Sequence, residues 1–214
     1  MSKQAAFLLV HVANALSLVR LFAVPVIVVL IWRAPEDASS RYAAFWLIAC
    51  LHAADMLDGY LARKGSRRLA VRNYFGEMVD PIADKMYIGA AYVTLAVTDE
   101  VAGPFAALVL FRDSAIILGW TVVYRRFGVR LLPNSLGKVT DAGLAVLVCA
   151  VLLQVEQTVL GLMTYTAAAL TVASGVSYGR MAARAGSRAS FRRLRAIAAA
   201  RRDRAAGNRI RSAP

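Results

Sequence analysis

The sequence predicts an all-α, polytopic membrane protein: a six-transmembrane-helix bundle with a basic C-terminal cytoplasmic tail. Three observations carry this. Hydrophobic residues make up 59% of the 214 residues, with a mean hydropathy of +0.54, well above the apolar share of an ordinary soluble domain. Apolar runs recur along the chain at about the ~20 residues that a helix needs to cross hydrocarbon. Strongly basic loops alternate with acidic or mixed ones, the pattern that membrane insertion imposes.

In order, residues 1–12 are short and mixed and form an interfacial N-terminal segment, too unlike a signal sequence to be cleaved, since the apolar run that follows extends past Pro25 to Trp32. The first span covers about Ala13 to Trp32, and Asn14, Ser17 and Arg20 recur at spacings of three on one face of it. That polar face admits two readings, snorkelling by Arg20 with local hydrogen bonding, or a face turned to a ligand. A short loop with Pro35 leads to the second span, about Tyr42 to Ala62, which carries Asp55 and Asp58. The third span, about Gly76 to Val97, carries Glu77, Asp80 and Asp84, and the fourth, about Pro104 to Tyr124, carries Arg112 and Asp113. The fifth and sixth cover about Val139 to Gln154 and Thr158 to Tyr178. Residues 13–178 thus form one six-helix transmembrane domain, and no soluble domain or repeat remains.

The loops Arg63–Arg72 and Arg125–Lys138 are basic, as is the tail 179–214, where eleven of the 26 Lys and Arg residues fall. The positive-inside rule puts all three in the cytoplasm of a cell (inner or plasma) membrane, with both termini inside. In the tail, Phe191, Leu194, Ile197 and Ala198 share a helical face among arginines, which suits an amphipathic helix on anionic lipid; a disordered tail is the alternative. With six spans just before it, the leaflet is the nearer polyanion, and no nucleic-acid partner is expected. Cys50 and Cys149 lie in apolar runs and predict no disulfide. Met56, Met78 and Met86 read as bundle packing, and His52 as a packed or hydrogen-bonded histidine one turn before Asp55.

The chemistry concentrates between Asp55 and Lys85. Carboxylates inside spans are costly and mark function by default. Asp55 and Asp58 share one face at i, i+3, and Asp80 and Asp84 share one at i, i+4. Counted from the basic loop between them, Asp58 and Asp80 lie roughly 6–8 Å deep and Asp55 and Asp84 roughly 12 Å, at ~1.5 Å per residue. The four carboxylates therefore make two matched rungs. Such crowding of negative charge calls for one or two divalent cations, and hard oxygen donors without Cys or clustered His favour Mg2+ or Mn2+. Two metals would suit in-line displacement at phosphorus. Gly59 and Gly76 leave room for a ligand near backbone, and Arg63 can contact a phosphate. Carboxylates neutralised by arginines, or a cation or proton pathway in a transporter or channel, are the competing readings.

The pattern Asp55-x-x-Asp58-Gly59-x-x-Ala62-Arg63, followed by Gly76-x-x-x-Asp80-x-x-x-Asp84, resembles the signature of the CDP-alcohol phosphatidyltransferase family. Asn14-Ala-Leu-Ser17-Leu-Val-Arg20 is similar to its first-helix motif. Asp80-Pro-Ile-Ala-Asp84-Lys85, Phe111-Arg112-Asp113 and Ser135-Leu136-Gly137-Lys138-Val-Thr140 are similar to elements of its phosphatidylglycerophosphate synthase branch. The resemblance covers about Val12 to Leu153. The family places about eight residues between the arginine and the second glycine, whereas Lys64 to Phe75 is twelve here, extra loop length that costs little energetically but leaves Ser66 and Asn73 without a transferable role.

The resemblance implies a phospholipid synthase that transfers a phosphatidyl group from CDP-diacylglycerol to an alcohol and releases CMP. It implies a homodimer, metal held by Asp55, Asp58, Asp80 and Asp84, Asp84 as general base, and CDP-lipid contacts from Asn14, Ser17, Gly59, Ala62, Arg63 and Gly76. Lys85, Arg112 and Lys138 are the candidate acceptor-binding residues. Arg112 is expected to face an anionic ligand rather than to snorkel or pair within the bundle, since Asp113, its sequence neighbour, points about 100° away on an α-helix. A phosphorylated acceptor fits: sn-glycerol 3-phosphate first, with inositol phosphate or phosphatidylglycerol (a cardiolipin synthase reaction) as alternatives of the same charge.

Overall fold

A computed structural model describes residues 19–65, 76–127 and 134–211, with side chains over 19–54, 85–126 and 134–187. Among these residues the chain is all helix: α1 (19–33), α2 (Ala38–Gly65), α3 (Gly76–Val97), α4 (Gly103–Phe127), α5 (Ser135–Leu152) and α6 (Gln157–Arg211). Three segments are long and apolar enough to cross a membrane, Gly103–Arg126, Ser135–Leu152 and Gln157–Ser187, and Lys85–Val97 is a shorter apolar stretch. The chain is a membrane protein. The third helix keeps its expected limits, while α2, α4 and α5 each extend a few residues beyond theirs at one end or both. Residues 1–18 and the two basic connections, 66–75 and 128–133, lie outside the described residues.

The clearest difference is at the C-terminus. No break separates the sixth span from the tail: α6 is one helix of 55 residues, roughly 80 Å at ~1.5 Å per residue. Alanine and arginine are strong helix formers, and nothing after Tyr178 stops the helix before Arg211.

Helix α4 packs on α6 and α3, and α5 on α6, α2 and α3. The core draws Ile27 and Ile31 from α1, Ala44 and Ile48 from α2, Tyr87, Ala91, Tyr92 and Leu95 from α3, and Leu144, Leu147 and Val148 from α5. Helices in lipid gain little from apolar burial itself, so close packing and interhelical hydrogen bonds hold them. Tyr92 illustrates both: its ring meets Phe105 edge-on at 5.6 Å, and its hydroxyl donates across to the Leu144 carbonyl at 2.8 Å. At Gly137 the Tyr178 ring comes so near that an added Cβ would sit 2.8 Å from it. The same tyrosine's hydroxyl accepts from the Asn134 N–H, and Asn134 Nδ2 donates to Ser177, which seats the start of α5 on α6. Outward faces carry Phe22, Trp32, Trp46, Phe111, Leu118, Leu162 and Tyr165, as a lipid-facing surface requires. Met86 is also outward, not in the packing expected of it, and Cys50 and Cys149 are free thiols.

The connections α1–α2, α3–α4 and α5–α6 are short and closed by specific bonds. Asp37 caps α2, accepting from the N–H groups of Ser39 and Ser40 and from both hydroxyls. Those bonds, Ser40's first, hold its carboxyl down at about 2. Asp99 and Gln154 stand in the left-handed region, φ 58° and 52°, at the ends of α3 and α5. In each case the next N–H returns to the helix, Glu100 to Leu95 O at 2.9 Å and Val155 to Ala150 O at 3.2 Å, the Schellman arrangement that satisfies terminal carbonyls. Thr158 bonds Glu156 at the start of α6 and lowers its carboxyl pKa. Buried Arg41 ties two of these turns together, donating to the Ala34 carbonyl and pairing with Glu100 at 2.8 Å.

Candidate active site

One side-chain bond links α2 to the α3–α4 turn and another links α2 to α3. Near the start of α2, Arg41 reaches Glu100; further along, His52 Nδ1 lies 3.2 Å from the Tyr87 hydroxyl. Among the described residues α2 otherwise packs on α5, and α3 on α4 and α5. His52 is a hydrogen-bonded histidine, as expected. One turn onward on each helix stand Asp55 on α2 and Asp84 on α3, and one further turn brings Asp58 and Asp80. Gly59, Ala62 and Arg63 follow on α2, and Gly76 is the first residue of α3. The side chains of these residues lie outside the described ones, as do Asn14 and Ser17 altogether. Among the described residues no cluster of His, Cys, Asp or Glu could hold a metal. Arg20, which snorkelling would leave exposed, is buried.

Beside Asp84, Lys85 opens a second group of charges. Its Nζ is 2.8 Å from Asp113 Oδ1 and 3.4 Å from Asp141 Oδ1. Arg112 Nη1 donates to the same two oxygens, at 2.6 Å each, and its Nη2 donates to Ser174 Oγ at 2.7 Å. Helices α3, α4, α5 and α6 meet here, each with one or two members. Asp113 therefore does not face away from Arg112: the long arginine side chain folds back to the carboxylate beside it. Arg112 is paired within the bundle, and Asp113, with the shortest reach, is buried with it. Lys138 is exposed and makes no ion pair among the described residues. The group brings Lys85 and Arg112 together and leaves Lys138 outside.

Asp141 and Ser174 were not singled out in the sequence. Asp141 carried a usable signal, a carboxylate inside an apolar span one turn after Lys138, the same signal that identified Asp55 and Asp84. Ser174 carried none, since a lone serine in a span is ordinary.

The model of the CDP-alcohol phosphatidyltransferase family matches residues 10–174. The chain belongs to the CDP-alcohol phosphatidyltransferase family. It is a transferase of phospholipid biosynthesis. A Mycobacterium tuberculosis protein named "Probable phosphatidylglycerophosphate synthase" is 32% identical over 176 residues, 78% of this chain and 79% of that one. The rice (Oryza sativa subsp. japonica) chloroplastic "CDP-diacylglycerol--glycerol-3-phosphate 3-phosphatidyltransferase 1" is 29% identical over 64% of this chain, which spans about half of that protein's length (47%). A human "Cardiolipin synthase (CMP-forming)" is 32% identical over 59% of this chain and 39% of its own length.

Proposed function

We propose that the chain transfers the phosphatidyl group of CDP-diacylglycerol to sn-glycerol 3-phosphate, giving phosphatidylglycerophosphate and CMP. The observation that carries this reading is the family model's match over residues 10–174, supported by the His52–Tyr87 bond that links α2 to α3. Asp55 and Asp84 each stand one turn from that bond, and Asp58 and Asp80 about one turn further. Four hard oxygen donors on these two helices fit one or two Mg2+ or Mn2+ ions. Bound there, the metal would supply charge neutralisation for the pyrophosphate and the departing CMP.

Asp84 takes the proton from the acceptor hydroxyl, whose oxygen forms a bond to the phosphatidyl phosphorus as the bridge to CMP breaks. Asn14, Ser17, Gly59, Ala62, Arg63 and Gly76 hold the CDP moiety. Lys85 and Arg112 hold the acceptor phosphate, with Lys138 at the entrance. Residues 13–178 cross the membrane six times, with the site and both termini cytoplasmic, in a homodimer in a cell membrane. The arginines between Arg180 and Arg211 bind anionic lipid headgroups. The rice and Mycobacterium tuberculosis relatives favour glycerol 3-phosphate as the acceptor; the human relative favours phosphatidylglycerol as the second reading.

An acceptor screen tests this. Detergent-purified protein with Mg2+ or Mn2+ is given CDP-diacylglycerol and, in turn, glycerol 3-phosphate, inositol phosphate, inositol, serine and phosphatidylglycerol. CMP release with glycerol 3-phosphate is expected; release with phosphatidylglycerol alone selects the second reading, and cation flux in proteoliposomes without CMP release overturns both.

A further inference from the structure

Lys85, Arg112, Asp113 and Asp141 carry two positive and two negative charges, so the group is already neutral with no acceptor present. Both carboxylates offer one oxygen to the same two cations. Yet the two carboxylates differ in burial: the Asp113 side chain is 10% exposed and that of Asp141 46%. A half-exposed carboxylate can leave its partners for water at small cost, whereas a buried one cannot. Both carboxylates lie 2.6 Å from Arg112, but Asp141 is the more loosely held by Lys85, at 3.4 Å where Asp113 is at 2.8 Å. Carboxylate and phosphate oxygens accept the same charge-assisted bonds from lysine and arginine. Arg112 keeps a spare donor as well, since its buried Nε has no acceptor among the described residues. A phosphate that displaced Asp141 would inherit Lys85 Nζ and Arg112 Nη1 and could add Nε.

We propose that Asp141 is a resident anion of the acceptor site: its carboxylate holds the place of the acceptor's phosphate between Lys85 and Arg112, and gives way to that phosphate on binding. This rests on Lys85 and Arg112 being the acceptor's partners, as proposed above. Two consequences follow. The basic pair stays neutralised and in position between turnovers. The acceptor must compete with a group tethered at the site, so Asp141 raises the KM for the acceptor and helps expel the phosphorylated product.

Asp141→Asn keeps the shape and removes the charge. CMP release is measured over a range of glycerol 3-phosphate concentrations, with inorganic phosphate as a competitive inhibitor, in wild type, Asp141→Asn, Asp141→Ser and Asp141→Glu. Both neutral variants are expected to lower the KM for glycerol 3-phosphate and the inhibition constant of phosphate by a similar factor, roughly tenfold, the loss of one modest competing interaction. Their kcat should change less than KM, and Asp141→Glu should return KM toward wild type. Two variants guard against one failing to fold, and thermal unfolding in detergent reports that separately. Unchanged or raised values of both constants, in folded variants beside an active wild type, overturn the proposal and leave the acceptor reading standing. A wild type that uses no phosphorylated acceptor at all takes both down.

Discussion

At the end of the bundle where α1–α2, α3–α4 and α5–α6 connect, every turn is short and each is closed by bonds that serve only the fold. Asp37 caps α2, Asp99 and Gln154 end α3 and α5 in left-handed conformations, and Arg41 ties the first two turns through Ala34 and Glu100. Toward the opposite end the charges no longer pair off one to one. Lys85 and Arg112 share two carboxylates, next in sequence to the stretch of α3 that carries Asp80 and Asp84. Both ends bury arginine. What differs is what each arginine is committed to: Arg41 is committed to backbone and one glutamate, whereas Arg112 is held by a half-exposed carboxylate that can be exchanged. A membrane enzyme thus keeps its rigidity at one face and its exchangeable charge toward the other.

The largest expected effect lies on the exchangeable side. Asp84→Asn should lower CMP release on the order of 10^3-fold, the usual scale for losing a general base, while the thermal unfolding midpoint in detergent stays near wild type. A folded variant with normal turnover would remove the base assignment. Next, the two arginines should separate. Arg112→Ala leaves two carboxylates in the bundle without their shared guanidinium and should cost about 3–5 kcal/mol in unfolding, together with activity. Arg41→Ala should cost about 2–3 kcal/mol but leave kcat/KM of the folded fraction as it was. Equal losses of activity in the two variants would erase the contrast between the ends.

Much of this was legible in the chain. The third helix could be bounded because an apolar run there starts at Gly76 and stops at an acidic turn. The depths of the four aspartates could be counted from helical rise, but their side chains lie outside the described ones. The continuity of the sixth span with the tail was not readable, because charge changes there while helix propensity does not, and propensity governs the backbone. The pairing of Arg112 with Asp113 was hidden for another reason: angular separation on a helix describes Cβ directions, and a guanidinium on a four-atom stem reaches across it. Asp141 lay just past a recognised motif and was passed over for that position, though a carboxylate in a span is informative wherever it falls.

Smaller effects sharpen the stitched end. Asp99→Gly and Gln154→Gly each relieve a left-handed backbone and should stabilise the fold by about 0.5–1 kcal/mol, read by thermal unfolding, without moving KM for the acceptor. Least of all is the Asp37 cap. Its folded pKa, about 2, lies below the ordinary 3.8, so its contribution is fully present above that ordinary value and fades as pH falls through about 2. Asp37→Asn should therefore flatten the acid limb of stability against pH, seen as a smaller drop in unfolding midpoint over that interval.

The central claim is the proposal that Asp55 and Asp58 of α2 and Asp80 and Asp84 of α3 bind metal together. Titration of the purified protein with Mn2+, followed by electron paramagnetic resonance, measures this without turnover. Wild type should take up one or two ions per chain, and Asp55→Asn and Asp84→Asn, one from each helix, should each weaken uptake at least tenfold. Uptake that is absent in wild type, or equal in all three proteins, would contradict the account.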